Sequence, residues 1–256
     1  FDLFLRLSKI CLFKSIQEPL ASYRLHGKNL STINKEKEVE ELEIWLKENK
    51  LYLDELQIKI DKLEKMLEEE SLDLIVICTP SGIHRKQAVL AAKYGVHVMT
   101  EKPMATQWQD GVEMVKACDE AGVYLFVVKQ NRRNATLQLL KRAVDEKRFG
   151  KIHMVHLNVF WTRPQDYYDQ APWRGTWEFD GGALMNQASH YIDLLDWLIG
   201  PIESVHSYTS TLQRNIEVED TGVANIKWRS GALGSINVTM LTYPKNLEGS
   251  ITILGE

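Results

Sequence analysis

The chain is 256 residues long, 44% hydrophobic and 26% charged, with a formal net charge of −4. That profile suits one large or two ordinary folded domains and excludes disordered, collagen-like and strongly basic nucleic-acid-binding chains. No apolar run is long enough to span a bilayer, and 1–20 carries Arg6, Lys9 and Lys14 through its apolar residues, unlike a signal peptide. Cys11, Cys78 and Cys118 are odd in number and form no CxxC pair, which points to a reducing, cytoplasmic setting and offers no ligand set for a metal.

The amino-terminal stretch does not pattern like the rest. Asp2-Leu3-Phe4-Leu5-Arg6-Leu7 followed by Tyr23-Arg24-Leu25-His26-Gly27-Lys28-Asn29-Leu30-Ser31 resembles the tail of a family 2 glycosyltransferase, whose catalytic acids would lie upstream. From 35 to 70, thirteen Asp/Glu face seven Lys/Arg, with Leu42, Trp45, Leu46, Ile58, Leu63 and Leu67 in one apolar stripe. This reads as a charged helical connector rather than a coiled coil, because no heptad is sustained. Residues 1–56 are therefore set apart as tail-like segment and linker. The chain opens on Phe and closes on Ile251-Thr252-Ile253-Leu254-Gly255-Glu256, within a strand and turn pattern, so a fragment or fusion is expected.

Residues 57–130 read as a partial dinucleotide-binding domain. Leu74-Ile75-Val76-Ile77-Cys78 is continuously apolar and β-branched, as for a parallel strand covered on both faces. Thr79-Pro80-Ser81-Gly82 is a turn, Ile83 to Tyr94 a helix ended by Gly95, and Val96 to Thr100 a second strand. Trp108, Val112, Val115, Cys118 and Gly122 mark one face of a second helix before a third strand at 123–128. The glycine-rich phosphate turn, GxGxxG, that would open such a domain is not in this sequence. Ligands of such sheets collect at the carboxyl ends of the strands, where Thr79-Pro80 and Glu101-Lys102-Pro103 stand.

Residues 131–256 read as an α+β domain. A helix from Ala135 is followed by a period-2 strand in which Val155, Leu157, Val159 and Trp161 alternate with polar neighbours. A helix at 186–199 presents Ala188, Ile192, Leu195 and Ile199 to a core, and further strands at 202–212, 220–228, 233–242 and 249–254 with short connections predict a mainly antiparallel sheet. The fold class is thus α/β: an incomplete Rossmann-like parallel sheet, then the α+β domain. Trp173, Trp177 and Trp197 are expected in packing.

Taken together, Thr79-Pro80-Ser81-Gly82-Ile83-His84, Glu101-Lys102-Pro103, and Trp173-Arg174 through Gly181-Gly182-Ala183 to His190 resemble the Gfo/Idh/MocA family of nicotinamide-dependent sugar oxidoreductases over about 71–256. KQNRRN at 129–134, FWTRPQDYYD at 160–169 and MNQASHYIDLLDWLIGP at 185–201 are similar to its branch that oxidises UDP-N-acetylglucosaminuronate at C3 for surface-polysaccharide, including lipopolysaccharide, synthesis. The resemblance implies NAD, with NADP open, and a nucleotide-sugar substrate. It implies a homo-oligomer, dimer or tetramer, and no nucleic acid or membrane insertion.

Oxidising a secondary alcohol needs a base for the hydroxyl proton and a cation beside the developing alkoxide. The resemblance gives these roles to His190, of ordinary pKa about 6.5, and Lys102. It places Thr79, Pro80, His84, Glu101, Lys102, Pro103, Gln130, Trp173 and Arg174 at the cofactor. Lys102, Asn131, Arg163, Arg174, Asn186, Gln187 and His190 fall to the substrate. Asn186 stands where the family commonly has Asp. From 129 to 174, ten Lys/Arg face four Asp/Glu, and Arg132, Arg133, Arg163 and Arg174 suit a diphosphate or uronate. The rival readings are a catalytically inactive, truncated or fused chain and part of a glycosyltransferase–oxidoreductase fusion.

Overall fold

The computed structural model of the chain describes residues 60–256; the glycosyltransferase-like stretches and most of the charged connector lie outside them. The described residues fall into two units divided between Val127 and Val128. Among them no helix is long and apolar enough to cross a membrane.

The first unit opens on a helix at 60–69, α1, which lays Leu63 and Leu67, one turn apart, into the core. Then come β1 (Leu74–Ile77), α2 (His84–Lys93), β2 (His97–Thr100), α3 (Trp108–Ala121) and β3 (Leu125–Val127). The three strands pair in parallel in the order β1-β2-β3. Small residues set the spacing on this sheet: Ala88, Ala91 and Ala92 of α2 are all but fully buried, so the helix backbone comes close. The apolar face marked on α3 is divided between core and solvent. Met114 and Cys118 enter the core, whereas Trp108, Val112 and Val115 point outward, Trp108 being 80% exposed. The helix carries two apolar stripes about a quarter-turn apart, and periodicity alone does not say which one the sheet takes.

The second unit contains α4 (Ala135–Asp145), β4 (Ile152–Phe160), α5 (Gln165–Asp169), α6 (Ser189–Ile199) and the strands β5 (Ile202–Ser210), β6 (Thr221–Trp228), β7 (Leu233–Thr239) and β8 (Glu248–Gly255). Its five-stranded sheet runs β5-β6-β7-β4-β8. Three of the four pairings are antiparallel, as expected, and β4 with β7 is parallel. One face of the sheet is dry: Val155, Leu157 and Val159 of β4 are fully buried with Trp228, Ile236, Val238 and Leu195. Of the tryptophans expected in packing, Trp173 and Trp197 are half-buried and Trp177 is 58% exposed, while Trp228, not singled out from the sequence, is wholly buried. Trp228 ends a strand that alternates buried and exposed residues, so its large side chain falls on the covered side.

Candidate active site

In the first unit the strand ends bring two of the quoted motifs together. The Glu101 N–H donates to the Ile77 carbonyl at 2.9 Å, continuing the pairing of β2 with β1, so Thr79-Pro80 and Glu101-Lys102-Pro103 leave adjacent carboxyl ends. The Lys102 N–H donates to the Glu101 carboxylate at 3.1 Å, and the Lys102–Pro103 peptide is cis. His84, 1% exposed, opens α2 with Nδ1 at 3.0 Å from the Pro103 carbonyl and Nε2 at 2.9 Å from the Thr79 carbonyl. Its ring clasps the two turns, so any part it takes in cofactor binding runs through the turns it joins. Burial pushes its pKa down, against the carbonyls of Thr79, Pro103 and Met104 and the charge of Glu101. Thr79 is oriented in turn by its hydroxyl donating to Gln87.

In the second unit the Gly181-Gly182 pair has a steric cause. Gly182 has φ +87°, and a Cβ there would stand 2.2 Å from a Glu219 carboxylate oxygen. That buried carboxylate accepts the Leu184 N–H at 2.8 Å, while the Glu219 main-chain carbonyl accepts the Ala183 N–H at 3.1 Å. Glu219 thereby closes the start of a π-helical turn, Ala183–Gln187, of the kind common at functional sites. The turn carries Asn186 and Gln187 and leads into α6. The Asn186 amide donates to the buried Asp180 carboxylate, which also accepts the Gly175 N–H at 2.7 Å. A carboxylate is therefore present beside Asn186, one layer further back.

His190 lies at the second position of α6, and the Gln130 amide nitrogen is 3.3 Å from its Nε2. Gln130, expected at the cofactor, meets the expected base. Asn131 follows in the same short turn, Gln130–Arg133. Arg132, read as a candidate for a diphosphate or uronate, is engaged within the chain: Asp193 takes its Nε and a terminal nitrogen at 2.7 Å each.

A further group gathers Arg163, Gln187, Trp173 and Arg174 around Tyr167. The Arg163 Nε donates to Gln187 at 2.9 Å, and the Gln187 amide donates to the Tyr167 hydroxyl at 3.0 Å. The Arg163 and Arg174 guanidinium carbons lie 5.3 and 4.2 Å from the Tyr167 ring centre, and Arg174 lies 5.6 Å from that of Trp173. Among the described residues the Arg174 Nε is buried with no hydrogen-bond partner. Two guanidinium groups on aromatic faces, one with a buried donor to spare, suit an anionic ligand. Tyr167, Asp180, Asp193 and Glu219 escaped the sequence reading. Asp193 had a local signal, one turn beyond His190; Glu219 had none.

Glu219 and Asp220 are neighbours with opposite electrostatics. Burial raises the Glu219 pKa, and the charges of Asp180 and Asp220 add to this. Burial alone would raise Asp220 too, but N–H groups of Arg214, Leu212 and Gln213 and the Thr221 hydroxyl outweigh it and hold its pKa low. The signs follow by linkage. Asp220 contributes stability that is present above the ordinary carboxylate value and lost as pH falls through its lowered one. The contribution of Glu219 is present below the ordinary value and lost as pH rises through its raised one. Asp220→Ala strands three N–H groups at 2.9 to 3.0 Å from the missing carboxylate. It is expected to cost about 1–3 kcal/mol and to weaken the acid-side loss of stability, as urea titrations across pH would record.

Two family models match the chain in succession. One, "Oxidoreductase family, NAD-binding Rossmann fold", covers residues 27–129, and the other, "GFO/IDH/MocA C-terminal domain", covers 137–256. The chain belongs to the Gfo/Idh/MocA family. The WlbA dehydrogenase from Bordetella pertussis, solved in complex with NADH and UDP-GlcNAcA, is 70% identical with a TM-score of 0.75, over 76% of this chain and 59% of that one. The WlbA dehydrogenase from Chromobacterium violaceum, solved with the same two ligands, is 68% identical with a TM-score of 0.75, over 79% of this chain and 61% of that one. Among curated proteins, the scyllo-inositol 2-dehydrogenase (NADP(+)) IolW of Bacillus subtilis is 28% identical over 63% of this chain and 44% of its own length. The chain thus spans about half the length of the curated relatives it matches.

Proposed function

We propose that the protein carrying this chain oxidises C3 of a UDP-linked N-acetylamino-sugar uronate with NAD, within the cytoplasmic synthesis of surface-polysaccharide sugars and as a homo-oligomer. The observation that carries this reading is the 70% identity to a dehydrogenase solved with NADH and UDP-GlcNAcA.

The residues present fit both ligands. Thr79, Pro80 and the 101–103 turn leave adjacent parallel strand ends, the place where dinucleotides lie in such sheets, and would hold the nicotinamide end. The buried Arg174 donor and the Arg163–Gln187–Tyr167 group suit the diphosphate or carboxylate of the sugar nucleotide, with Trp173 against Arg174 and Asn186 next to Gln187, and Asn131 is assigned to the same substrate. When bound, the nicotinamide supplies the hydride acceptor. His190 takes the hydroxyl proton and the Lys102 ammonium steadies the alkoxide oxygen. His84 and Glu101 act on Lys102 by fixing its turn.

The amino-terminal glycosyltransferase likeness is retained as a proposal on residues 2–9 and 23–31, although the Rossmann family model already begins at residue 27.

The test is NADH formation from UDP-GlcNAcA, read by absorbance, with calorimetric binding of each ligand alongside. Lys102→Met is expected to lower turnover about 100- to 1,000-fold, as loss of one preorganised electrostatic group does. Ligand binding without NADH formation in the unaltered protein would count against the proposed oxidation. Turnover unchanged in Lys102→Met would remove this lysine from the site.

A further inference from the structure

The connection between β5 and β6 runs from 211 to 220, well beyond the about two to five residues of an ordinary hairpin loop. Its base is closed twice: the Asp220 N–H donates to the Ser210 carbonyl at 3.2 Å, and the Thr211 hydroxyl donates to the Val218 carbonyl at 2.7 Å. From inside the loop the N–H groups of Leu212, Gln213 and Arg214 all donate to the carboxylate of Asp220, a fully buried residue. The tip shaped in this way meets the segment 163–177 at both of its ends. At the first end the Arg214 Nε donates to the Arg163 carbonyl at 2.7 Å. Beside it the Asn215 N–H donates to the Gln165 side-chain oxygen at 2.9 Å, and the Gln165 amide returns a bond to the Asn215 carbonyl at 3.3 Å. At the second end the Gly175 carbonyl accepts the Glu217 and Val218 N–H groups at 2.9 and 3.2 Å. Gly175 has φ +75°, and a Cβ there would stand 2.6 Å from Ile216, so loop and segment touch backbone to side chain. The Glu217 carboxylate accepts the Trp177 N–H at 3.1 Å.

Arg163 stands at the first of those ends, and Tyr167, Trp173 and Arg174 lie between them. The segment's one helix, α5, has five residues, too few to hold its own shape. The guanidinium groups of Arg163 and Arg174 both lie over the Tyr167 ring, so their separation follows from how the ends of 163–177 are pinned. We propose that the loop 211–220 is the template for this anion-binding group, and that Arg214 and Gln165 are positioning residues for the nucleotide sugar. The Arg163 N–H is fixed to the Met240 carbonyl at 2.9 Å. The charge-assisted bond from Arg214 fixes the next peptide, and with it the root from which the Arg163 side chain reaches Gln187. Gln165 does the same one residue before the turn that carries Tyr167. The inference rests on reading the Arg163–Tyr167–Arg174 group as the seat of the diphosphate or uronate.

The test is calorimetric titration of the full protein with UDP-GlcNAcA and, separately, with NADH. Arg214→Ala and Gln165→Ala are each expected to weaken UDP-GlcNAcA binding about 5- to 10-fold, as the loss of one or two ordering hydrogen bonds does, and to leave NADH binding unchanged. Arg214→Lys, whose ammonium still donates to the Arg163 carbonyl, should recover most of that loss. A loop that served the fold alone would lower stability in urea without separating the two ligands or responding to lysine. Gln165→Ala removes the contact from the side of α5, at a partly exposed position, and carries the test should Arg214→Ala fail to fold. Full UDP-GlcNAcA affinity in the alanine variants, or equal losses for both ligands, would overturn the inference and leave the proposed function standing. No affinity of the unaltered protein for UDP-GlcNAcA would overturn the proposed function, and the inference with it.

Discussion

Replacing His190 by asparagine is expected to lower the rate of NADH formation from UDP-GlcNAcA about 10²- to 10⁴-fold, the span that a positioned general base contributes. Asparagine preserves a hydrogen-bonding side chain of similar reach, so binding of the nucleotide sugar should change little and the loss should fall on kcat. It cannot take up a proton near neutral pH. The limb of the rate–pH profile governed by the imidazole should accordingly vanish in the variant, leaving a slow reaction driven by hydroxide. Steady-state kinetics across pH would decide the matter: a variant with near-normal kcat, or with an unchanged profile, assigns the proton to another group.

The second large effect is expected at Gly182. A methyl group there would stand 2.2 to 2.6 Å from the Glu219 carboxylate atoms, at a backbone φ of +87°. The strained dihedral and the overpacking each cost about 1–3 kcal/mol, so Gly182→Ala should lose about 2–5 kcal/mol in urea titrations. The carboxylate has little room to retreat, because it is held by the Leu184 N–H at 2.8 Å. Combining Gly182→Ala with Glu219→Ala removes the collision but not the dihedral strain, so the double variant should lose measurably less than the sum of the single ones. Strict additivity would show that the two residues do not meet. Since the segment beyond Gly182 carries Asn186, Gln187 and His190, the single variant should also bind UDP-GlcNAcA more weakly.

The sequence made some of this visible and hid the rest for physical reasons. A β-branched run followed by a turn, a helix and a glycine is local information, and the β1-α2-β2 unit was legible because each part declares itself within a few residues. The same holds for the buried alternation of β4. Which stripe of α3 turns inward was not legible, because Met114 and Cys118 compete with Trp108, Val112 and Val115 on one helix and only the sheet beneath them decides. The bond from the Leu184 N–H to Glu219, beside the contact of Gly182 with the same carboxylate, spans thirty-five residues of sequence, and no periodicity links them. The contact of Gln130 with His190 spans sixty residues, and no local pattern announces it. The engagement of Arg132 by Asp193 is of the same kind, since an arginine within a basic stretch reads as available until its acid is found.

The parallel pairing of β4 with β7, and the antiparallel pairing of β4 with β8 on its other side, set an order of events during synthesis. Translation delivers β4 before either neighbour exists, and β5, β6 and β7 can zip into a meander while β4 is still waiting. Until β7 and β8 arrive, the nascent strand presents two unpaired edges and the valine and leucine side chains it will later bury. Such a strand is a natural target for holding chaperones and for mispairing between polysomal chains.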